Sequence, residues 1–339
     1  MCKISVVIPA YNVENYIDKS FESLLNQSFR DFEVIAINDG SQDKTLEKMK
    51  IYEAKDERVR VIDKMNEGVG ATRNLGLDLA GGDYVIFIDP DDYVHPDLLK
   101  SLYEKAIETK VNVVVCDYYE CYENSKDQVL MKVPVESTNL LMIHENKELI
   151  FKMTPAPWNK LIRTSILKEH EIKFPLEYRS EDLVFTLKLL AKCETLAVVH
   201  QPLYYYLANR MNNVSTANDE RVLHTMRALK EIIESYQNWN LKQIYKLELE
   251  MLIIKQIQYE LHKVIYISDK TLAYRIITEF YNFLKLNVPN WRKNKYYQSV
   301  VSQSSLVNKY RYWIYENPQR LRLYYNIRQL KKSLTKEGE

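Results

Sequence analysis

The first 120 residues alternate short apolar runs with segments whose apolar positions recur every three or four residues. A recurrence of this length predicts helices, and Tyr16, Phe21, Leu24 and Leu25 are the apolar positions of one such segment. The apolar runs are rich in β-branched residues, which is typical of strands covered on both faces. The five runs are ISVVI (4–8), EVIAI (33–37), VRVI (59–62), DYVIFI (83–88) and VNVVVCD (111–117). This order predicts a mainly parallel sheet with helices on both sides.

The pattern changes twice along the rest of the chain. Residues 118–220 are less regular, with predicted short strands and two predicted helices, near 145–153 and 181–192. Residues 221–285 are strongly helical, and Ser268 and Asp269 predict a break and an N-cap between two helices. An α/β domain followed by an α-helical C-terminal region is therefore expected.

Composition adds a charge asymmetry to this picture. The 339 residues are 46% hydrophobic and 27% charged, the profile of a soluble globular protein, and the formal net charge is +1. From Trp291 to the end, however, there are 11 Lys/Arg against 3 Asp/Glu, a local charge of +8, whereas residues 1–290 carry −7. The C-terminal tail is therefore chemically distinct from the main body.

The cysteines and the apolar runs bear on location. Four cysteines without a CxxC pair predict reduced thiols in a cytosolic protein rather than a disulfide framework or a zinc site. A strand pattern begins at Ile4, which leaves no room for a signal peptide, and no apolar run approaches the ~20 residues of a membrane span. We expect a cytoplasmic protein, soluble or peripheral to a membrane.

Three predicted loops follow strand ends, and they should line one crevice because ligands of parallel sheets bind beyond the carboxyl ends of the strands. They are PAYN (9–12), NDGSQDKT (38–45) and DPDD (89–92). Carboxylates in DPDD are hard ligands suited to Mg²⁺ or Mn²⁺, and an acidic turn before a helix is the alternative. Asp39 is placed to accept hydrogen bonds from a base or ribose, and a tight turn is its alternative.

Other nucleotide and metal motifs are absent from the sequence. There is no GxxxxGK[ST], which excludes a P-loop, and no HExxH or paired-histidine cluster, which disfavours a zinc hydrolase. EGVGATRNLG (67–76) has Arg73 where a dinucleotide fingerprint has its third glycine, which disfavours a nicotinamide enzyme.

Two long stretches resemble family 2 glycosyltransferases of the GT-A fold: SVVIPAYNVENYIDKSFESLLNQSFRDFEVIAINDGSQDKT and NEGVGATRNLGLDLAGGDYVIFIDPDDYVHPDLL. PWNKLIRTSIL (157–167), YRSEDLVFTLKLL (178–190) and YYYLANRMNNVST (204–216) more loosely resemble bacterial members that build capsular, exopolysaccharide or wall glycans. The resemblance implies a catalytic domain over residues 1–220, with a nucleotide-binding half (1–120) and an acceptor half (121–220). The helical region with its basic and aromatic tail is then 221–339.

The resemblance implies a donor site for a nucleotide diphosphate sugar. Pro9, Tyr11 and Asp39 match positions that hold the nucleobase and ribose, Tyr11 by stacking and Asp39 by hydrogen bonding. Asp89 and Asp91 match the DxD element that binds Mn²⁺ or Mg²⁺, with Asp91 as the better ligand, although proline replaces the commoner serine or alanine between them. The position that helps to fix the base or diphosphate is matched by Arg73.

The resemblance also implies an inverting transfer to an acceptor hydroxyl, with Asp182 of SED at the position of the general base. The alternative for Asp182 is an acidic first turn behind Ser180 as N-cap. The acceptor-binding candidates are Trp158, Asn159, Lys160 and Glu181. Trp158 offers a flat face for a sugar ring, and a core aromatic is an equally good interpretation.

The nucleotide loops resemble those of members that use UDP-sugars, and a hexose or N-acetylhexosamine moved to a lipid-linked or oligosaccharide acceptor is expected. VIFIDPDDYV also fits an aspartyl-phosphatase pattern, and a non-catalytic glycan-binding subunit is a third hypothesis. The tail NKYRYWIYENPQRLRLYYNIRQLKKSLTK (308–336) suits an anionic membrane surface. A solvated helix and a subunit contact in a homo-oligomer are its alternatives, and nucleic acid is not an expected partner.

Overall fold

The computed structural model describes residues 2–123, 125, 127–137, 139–176, 179–208 and 219–336. The chain divides into two compact units. The first, called the α/β unit here, comprises Met1–Glu177 and Glu181–Asn213, and the second, the helical unit, comprises Tyr178–Ser180 and Val214–Glu339. The boundary near residue 220, and the division into nucleotide-binding and acceptor halves, stay predictions.

Among its described residues, the α/β unit has one sheet of ten strands, in the order β3-β2-β1-β4-β9-β6-β10-β5, with β7 beside β6 and β8 beside β10. The strands are β1 (Ile4–Ala10), β2 (Phe32–Asp39), β3 (Val59–Lys64), β4 (Tyr84–Phe87), β5 (Tyr93–Val94), β6 (Val113–Tyr122), β7 (Gln128–Met131), β8 (Leu141–Met142), β9 (Lys160–Arg163) and β10 (Thr195–Ala208). The five strands predicted from apolar runs are all present, as β1, β2, β3, β4 and β6.

Helices cover both faces of this sheet. They are α1 (Ile17–Leu25), α2 (Thr45–Lys55), α3 (Val69–Leu79), α4 (Leu98–Thr109), α5 (Leu149–Lys152), α6 (Thr164–Glu169) and α7 (Glu181–Lys192). One core cluster packs α1, α2 and α4 against one face, and a second packs α3, α6 and α7 against the other. Burial of both faces explains why the central strands are nearly continuous in apolar residues.

The sheet is parallel through β3, β2, β1 and β4, as predicted, but it becomes mixed beyond β4. Strand β9 is antiparallel to both β4 and β6 and lies between them. Its sequence, KLIR, is too short to be distinguished as a strand by apolar periodicity. The two predicted strands β4 and β6 therefore do not pair with each other, because β9 lies between them.

Close packing of α3 on its neighbours explains two glycines of the EGVGATRNLG segment. A Cβ atom at Gly76 would lie 2.2 Å from Val7 Cγ1 of β1, and one at Gly70 would lie 2.2 Å from the Pro175 carbonyl oxygen. No larger residue fits at either position without moving backbone or core. This close approach fixes the position of the α3 residues between them, including Arg73.

The helical unit contains α8 (His224–Asn238), α9 (Lys246–Val264), α10 (Lys270–Asn287), α11 (Lys295–Gln303), α12 (Leu306–Tyr315) and α13 (Pro318–Lys336). The predicted N-cap is confirmed, since Asp269 Oδ1 accepts hydrogen bonds from the N–H groups of Thr271 and Leu272. Among the described helices, none combines the length and the apolar character that crossing a membrane requires.

Candidate active site

The three loops predicted to line a crevice follow strands at the same edge of the sheet. β1 lies between β2 and β4, parallel to both, so the carboxyl ends of the three strands are side by side. The first two loops are bonded to each other: Asn12 N–H donates to Ser41 Oγ at 3.0 Å, and Gln42 N–H donates to Asn12 Oδ1 at 2.8 Å. These loops therefore form one continuous wall of the candidate site.

The two residues at the end of β1 that are predicted to hold the nucleobase and ribose differ in exposure. Pro9 is buried within the strand and is paired in register with Ile37 of β2. Tyr11 follows the strand, and 46% of its surface is exposed. An exposed ring at a strand end can stack on a planar ligand, whereas the Pro9 ring is enclosed by protein. Contact of either residue with a base stays a prediction.

Asp39 is a buried carboxylate whose two oxygens already accept protein hydrogen bonds. Lys64 Nζ donates to Oδ1 at 2.5 Å, Glu67 N–H donates to Oδ1 at 3.0 Å, and Gly68 N–H donates to Oδ2 at 2.9 Å. Burial alone would raise the pKa of Asp39, but these hydrogen bonds and the charge of Lys64 outweigh it, and the pKa is lowered. A nucleobase N–H would thus meet an ionised carboxylate held in a fixed position.

Arg73 links the DPDD loop to the start of α7. Its Nη2 donates to Asp89 Oδ1 at 2.8 Å, and its Nη1 donates to Glu181 Oε1 at 2.9 Å. The guanidinium is buried and lies 5.3 Å from the centre of the Phe174 ring. Burial disfavours its charge, but Asp89 and Glu181 raise the pKa of Arg73 above its ordinary value. Both terminal nitrogens are occupied by carboxylates, and contact of Arg73 with a base or diphosphate stays a prediction.

Asp182 stands beside this network, at the start of α7. It is half-buried, and its Oδ1 accepts a hydrogen bond from Leu183 N–H at 2.7 Å. Burial and the negative charge of Glu181 raise the pKa of Asp182 to about 6, against the opposing charge of Arg73. A carboxyl group with this pKa is suited to take up a proton near neutral pH.

The third aspartate of DPDD has a role that the sequence does not indicate. Asp92 is buried, its Oδ2 accepts a hydrogen bond from Tyr204 Oη at 2.6 Å, and its Oδ1 accepts from Leu207 N–H at 2.7 Å. Tyr204 Oη in turn accepts from Asp89 N–H at 3.2 Å. Burial and the neighbouring charges of Asp91 and Asp89 raise the pKa of Asp92. Tyr204 therefore pins the DPDD turn at two points, from 112 positions away in the chain.

Trp158, predicted to face an acceptor sugar, is 5% exposed. Its ring stacks on Tyr204, with ring centres 4.3 Å apart, and on Tyr206, with ring centres 5.4 Å apart. This is the core-aromatic packing that the sequence left as the alternative. Through Tyr204, the Trp158 ring supports the DPDD turn, and its contact with an acceptor stays an untested prediction.

Asn159 and Lys160 are also buried, and their polar groups are bonded to protein. Asn159 Nδ2 donates to the Cys116 carbonyl at 2.8 Å, which ties the segment to β6. Lys160 Nζ donates to the carbonyls of Thr154 and Ala156 and to Asn159 Oδ1, at 2.6–2.9 Å. Burial lowers the pKa of Lys160 to about 7. The two side chains hold a loop in place, and neither has a surface open to an acceptor.

The DPDD carboxylates fit a divalent cation by their chemistry. Asp89 and Asp91 are both half-buried oxygen donors at the carboxyl edge, and Mg²⁺ typically takes one or two carboxylates together with substrate phosphates. Within the part of the chain that the structure describes, no three Asp, Glu, His or Cys side chains form a group that could hold a metal ion. A cation bound by Asp89 and Asp91 would therefore take its remaining ligands from the diphosphate of the donor and from water.

The fold is that of a known glycosyltransferase. The crystal structure of Staphylococcus aureus TarS 1–349 in complex with UDP-GlcNAc matches with a TM-score of 0.60 at 23% identity, over 88% of this chain and 92% of that chain. At this level of identity the likeness concerns the fold alone. The predicted α/β fold of the GT-A type, with a helical region after it, is thereby confirmed.

Curated sequence relatives match a large part of this chain. Glycosyltransferase GlyA of Streptococcus pneumoniae is 28% identical over 263 residues, which are 75% of this chain and 37% of GlyA. The poly(ribitol-phosphate) β-N-acetylglucosaminyltransferase TarS of S. aureus is 32% identical over 214 residues, 62% of this chain and 36% of TarS. The chain thus spans little more than a third of these relatives. Residues 5–171 match the model of glycosyl transferase family 2. This part of the α/β unit, residues 5–171, therefore belongs to glycosyl transferase family 2.

Proposed function

We propose that the chain is an inverting glycosyltransferase that moves a hexose or an N-acetylhexosamine from a UDP-sugar to a hydroxyl of a glycan acceptor. The observation that carries this proposal is the position of Asp182. Its chain neighbour Glu181 is linked through Arg73 to Asp89 of the DPDD loop. A carboxyl group of raised pKa is thus tied to the loop that the family resemblance assigns to the diphosphate.

Asp182 acts in this proposal as the general base. A carboxyl group with a pKa of about 6 is mostly ionised at neutral pH, yet it can accept a proton as a hydroxyl attacks. The acceptor oxygen forms a bond to the anomeric carbon, the bond from that carbon to the UDP oxygen breaks, and the hydroxyl proton passes to Asp182. One displacement inverts the configuration at the anomeric carbon.

Asp89 and Asp91 are the proposed ligands of Mn²⁺ or Mg²⁺, with Asp91 as the main one. When bound, the cation stabilises the negative charge on the departing diphosphate. The hydrogen bond from Arg73 orients the Asp89 carboxylate, and the bond from Asp89 N–H to Tyr204 holds the backbone of the same turn. The protein therefore supplies a preformed position for this ligand.

The donor is proposed to be a uridine diphosphate sugar. TarS carries the name of a β-N-acetylglucosaminyltransferase and has been crystallised with UDP-GlcNAc, which supports the same donor class here. Tyr11 would stack on the uracil, Asp39 would accept the N3–H, and Pro9 would bound the pocket from β1. A site that pairs a base edge rejects bases that leave its polar groups unpaired.

The acceptor is proposed to be a lipid-linked glycan at the inner face of the cell membrane, which makes the protein a cytoplasmic enzyme working at a membrane surface. The acceptor would bind beside Glu181 and beside the segment that contains Trp158, Asn159 and Lys160. The burial of these last three side chains supports a role in fixing the backbone that an acceptor would contact. The family resemblance to makers of surface glycans supports this acceptor class.

A nucleotide-release assay tests the proposal. We would incubate the full chain with Mn²⁺ and UDP-, GDP- and ADP-sugars, and measure the free nucleotide and the anomeric configuration of any product. Release of UDP, together with binding of UDP at least tenfold tighter than GDP in calorimetry, is expected. GDP that binds as tightly as UDP would contradict the donor, and a product with retained configuration would contradict the single displacement.

The phosphatase alternative requires Asp89 to attack phosphorus as a nucleophile. In the structure, Oδ1 of Asp89 is engaged by Arg73, and residues 5–171 match a glycosyltransferase family. No phosphate release from a generic aryl phosphate is therefore expected. Such release, abolished by Asp89→Asn, would restore the alternative.

A further inference from the structure

Helix α12 of the helical unit buries apolar residues on one side and also exposes apolar residues to solvent. Ile314 and Tyr315 are buried against the rest of the unit. Leu306, Tyr310 and Trp313 are spaced four and three residues apart, so they form one stripe along the helix. Their exposed fractions are 84%, 58% and 49%, and a surface helix ordinarily has polar residues on its outward face.

The stripe is continued by further exposed groups around it. Val307, on the same helix, is 65% exposed. The rings of Tyr310 and Trp313 are stacked with their centres 5.8 Å apart, and the guanidinium of Arg320 lies 4.2 Å from the centre of the Trp313 ring. Contiguous apolar surface of this kind marks an interaction site more often than single exposed residues do.

Basic groups border the stripe. With 3.6 residues per turn, Lys309 falls directly beside the stripe, Arg311 lies farther round the helix, and both are exposed. They belong to the segment from Trp291 to the end, which has 11 Lys/Arg against 3 Asp/Glu. The surface around the stripe is therefore positive, in contrast to the negative remainder of the chain.

We propose that this face of α12 docks onto an anionic phospholipid membrane surface, with Leu306, Tyr310 and Trp313 entering the headgroup layer. Aromatic rings are favoured at this depth, and each Lys or Arg near the surface adds attraction to anionic lipid. A second copy of this chain is the less suited occupant, because a two-fold interface would set the same positively charged surface against itself. This proposal rests on the proposed function only in one respect, namely that the acceptor is linked to a membrane lipid.

Vesicle sedimentation of the full chain tests the docking face. The wild-type protein should sediment with vesicles of phosphatidylcholine and phosphatidylglycerol and remain largely in solution with phosphatidylcholine alone. The double variant Leu306→Ser/Trp313→Ser should lose about tenfold or more of this partitioning, because two large apolar side chains no longer enter the headgroup layer. The matched control is Leu286→Ser, at an 80% exposed leucine of α10 in the same unit, and it should bind as the wild type does.

A charge variant and a size measurement complete the test. Lys309→Glu/Arg311→Glu should weaken binding to the anionic vesicles, and added salt should weaken the wild type in the same way. The proposal is overturned if the double apolar variant still binds like the wild type, or if those substitutions dissociate a dimer in sedimentation velocity. UDP release is measured on all variants, so that loss of the proposed chemistry and loss of docking are seen separately.

Discussion

Arg73 and Glu181 are joined by a hydrogen bond of 2.9 Å between Nη1 and Oε1, although 108 positions separate them in the chain. The other terminal nitrogen of the same guanidinium bonds Asp89 at 2.8 Å. Because the guanidinium is planar and rigid, it holds both carboxylates in one geometry. The start of α7, with the proposed base, is thus kept at a set distance from the loop with the proposed metal ligands.

Replacement of Arg73 by methionine should destabilise the protein strongly. Two carboxylates would lose their buried cationic partner, and breaking such a pair costs about 3–5 kcal/mol of unfolding free energy, measurable by urea denaturation. Lys173→Met is the matched control, since it removes an exposed pair with Asp78 at 3.0 Å and should cost at most about 1 kcal/mol. If Arg73→Met loses as little unfolding free energy as Lys173→Met, the Arg73 network is unimportant for folding.

Asp182→Asn separates catalysis from helix capping. The amide keeps an oxygen that can accept from Leu183 N–H, but it cannot take up a proton, so kcat should fall by roughly 10²–10⁴. The urea midpoint at neutral pH should not fall. A variant with normal turnover and reduced stability would instead support the interpretation of Asp182 as a first-turn cap residue.

The pH dependence of turnover should report the raised pKa of Asp182. Its pKa is raised from the ordinary 3.8 to about 6, and only the ionised form accepts a proton, so kcat/KM should fall as pH drops through about 6. The same shift favours the protonated form in the folded state, so the associated stability is lost as pH rises through about 6. Asp182→Asn should therefore gain stability relative to the wild type over that rise. A rate profile that is flat from pH 7 to pH 5 would contradict the assignment.

Tyr204→Phe should loosen the DPDD turn. The substitution removes the hydroxyl that donates to Asp92 and accepts from Asp89 N–H, and loss of a buried partner costs about 1–3 kcal/mol. The KM for the donor should rise, since Asp89 and Asp91 lie on this turn. Tyr205→Phe, at the neighbouring half-buried ring that stacks on Tyr93, is the control and should change stability by less than about 0.5 kcal/mol. Equal effects of both variants would argue against a special role for the Tyr204 hydroxyl.

Metal dependence can be read from UDP binding without turnover. For the wild type, calorimetry with Mn²⁺ should show tighter UDP binding than calorimetry in EDTA. Asp91→Ala should bind UDP as weakly in Mn²⁺ as in EDTA, because the cation no longer links the protein to the diphosphate. Wild-type binding that is unaffected by EDTA would remove the cation from the proposal. Asp97→Ala, at a half-buried aspartate outside DPDD, should behave like the wild type.

Local patterns in the sequence predict the strands and caps of this protein well, because apolar periodicity and capping depend on adjacent residues. The β4 strand that precedes DPDD and the cap at Asp269 are of this kind. The partner of Asp92 could not be predicted in this way. Tyr204 is one of three consecutive tyrosines, and only the bulged pairing of β10 with β6 and β5 decides which of them points at the turn.

The same limit applies to exposure. Trp158 could be assigned equally to a sugar-facing surface or to the core, since a single aromatic residue before a short strand has no periodic pattern around it. Its stacking on Tyr204 and Tyr206 depends on β10, which lies far along the chain. Contacts of this type are properties of the assembled sheet.

The antiparallel β9 also has a consequence for how the protein can be made. On a ribosome, β4 and β6 emerge well before the strand that joins them, so each has an unpaired edge until residues 160–163 arrive. Unpaired strand edges invite association with other chains, and pairing over long separations slows folding. A fragment ending near residue 120 would keep every predicted donor residue and still lack the strand that closes its sheet. We expect such a fragment to aggregate, and co-expression of the missing segment to restore a soluble protein.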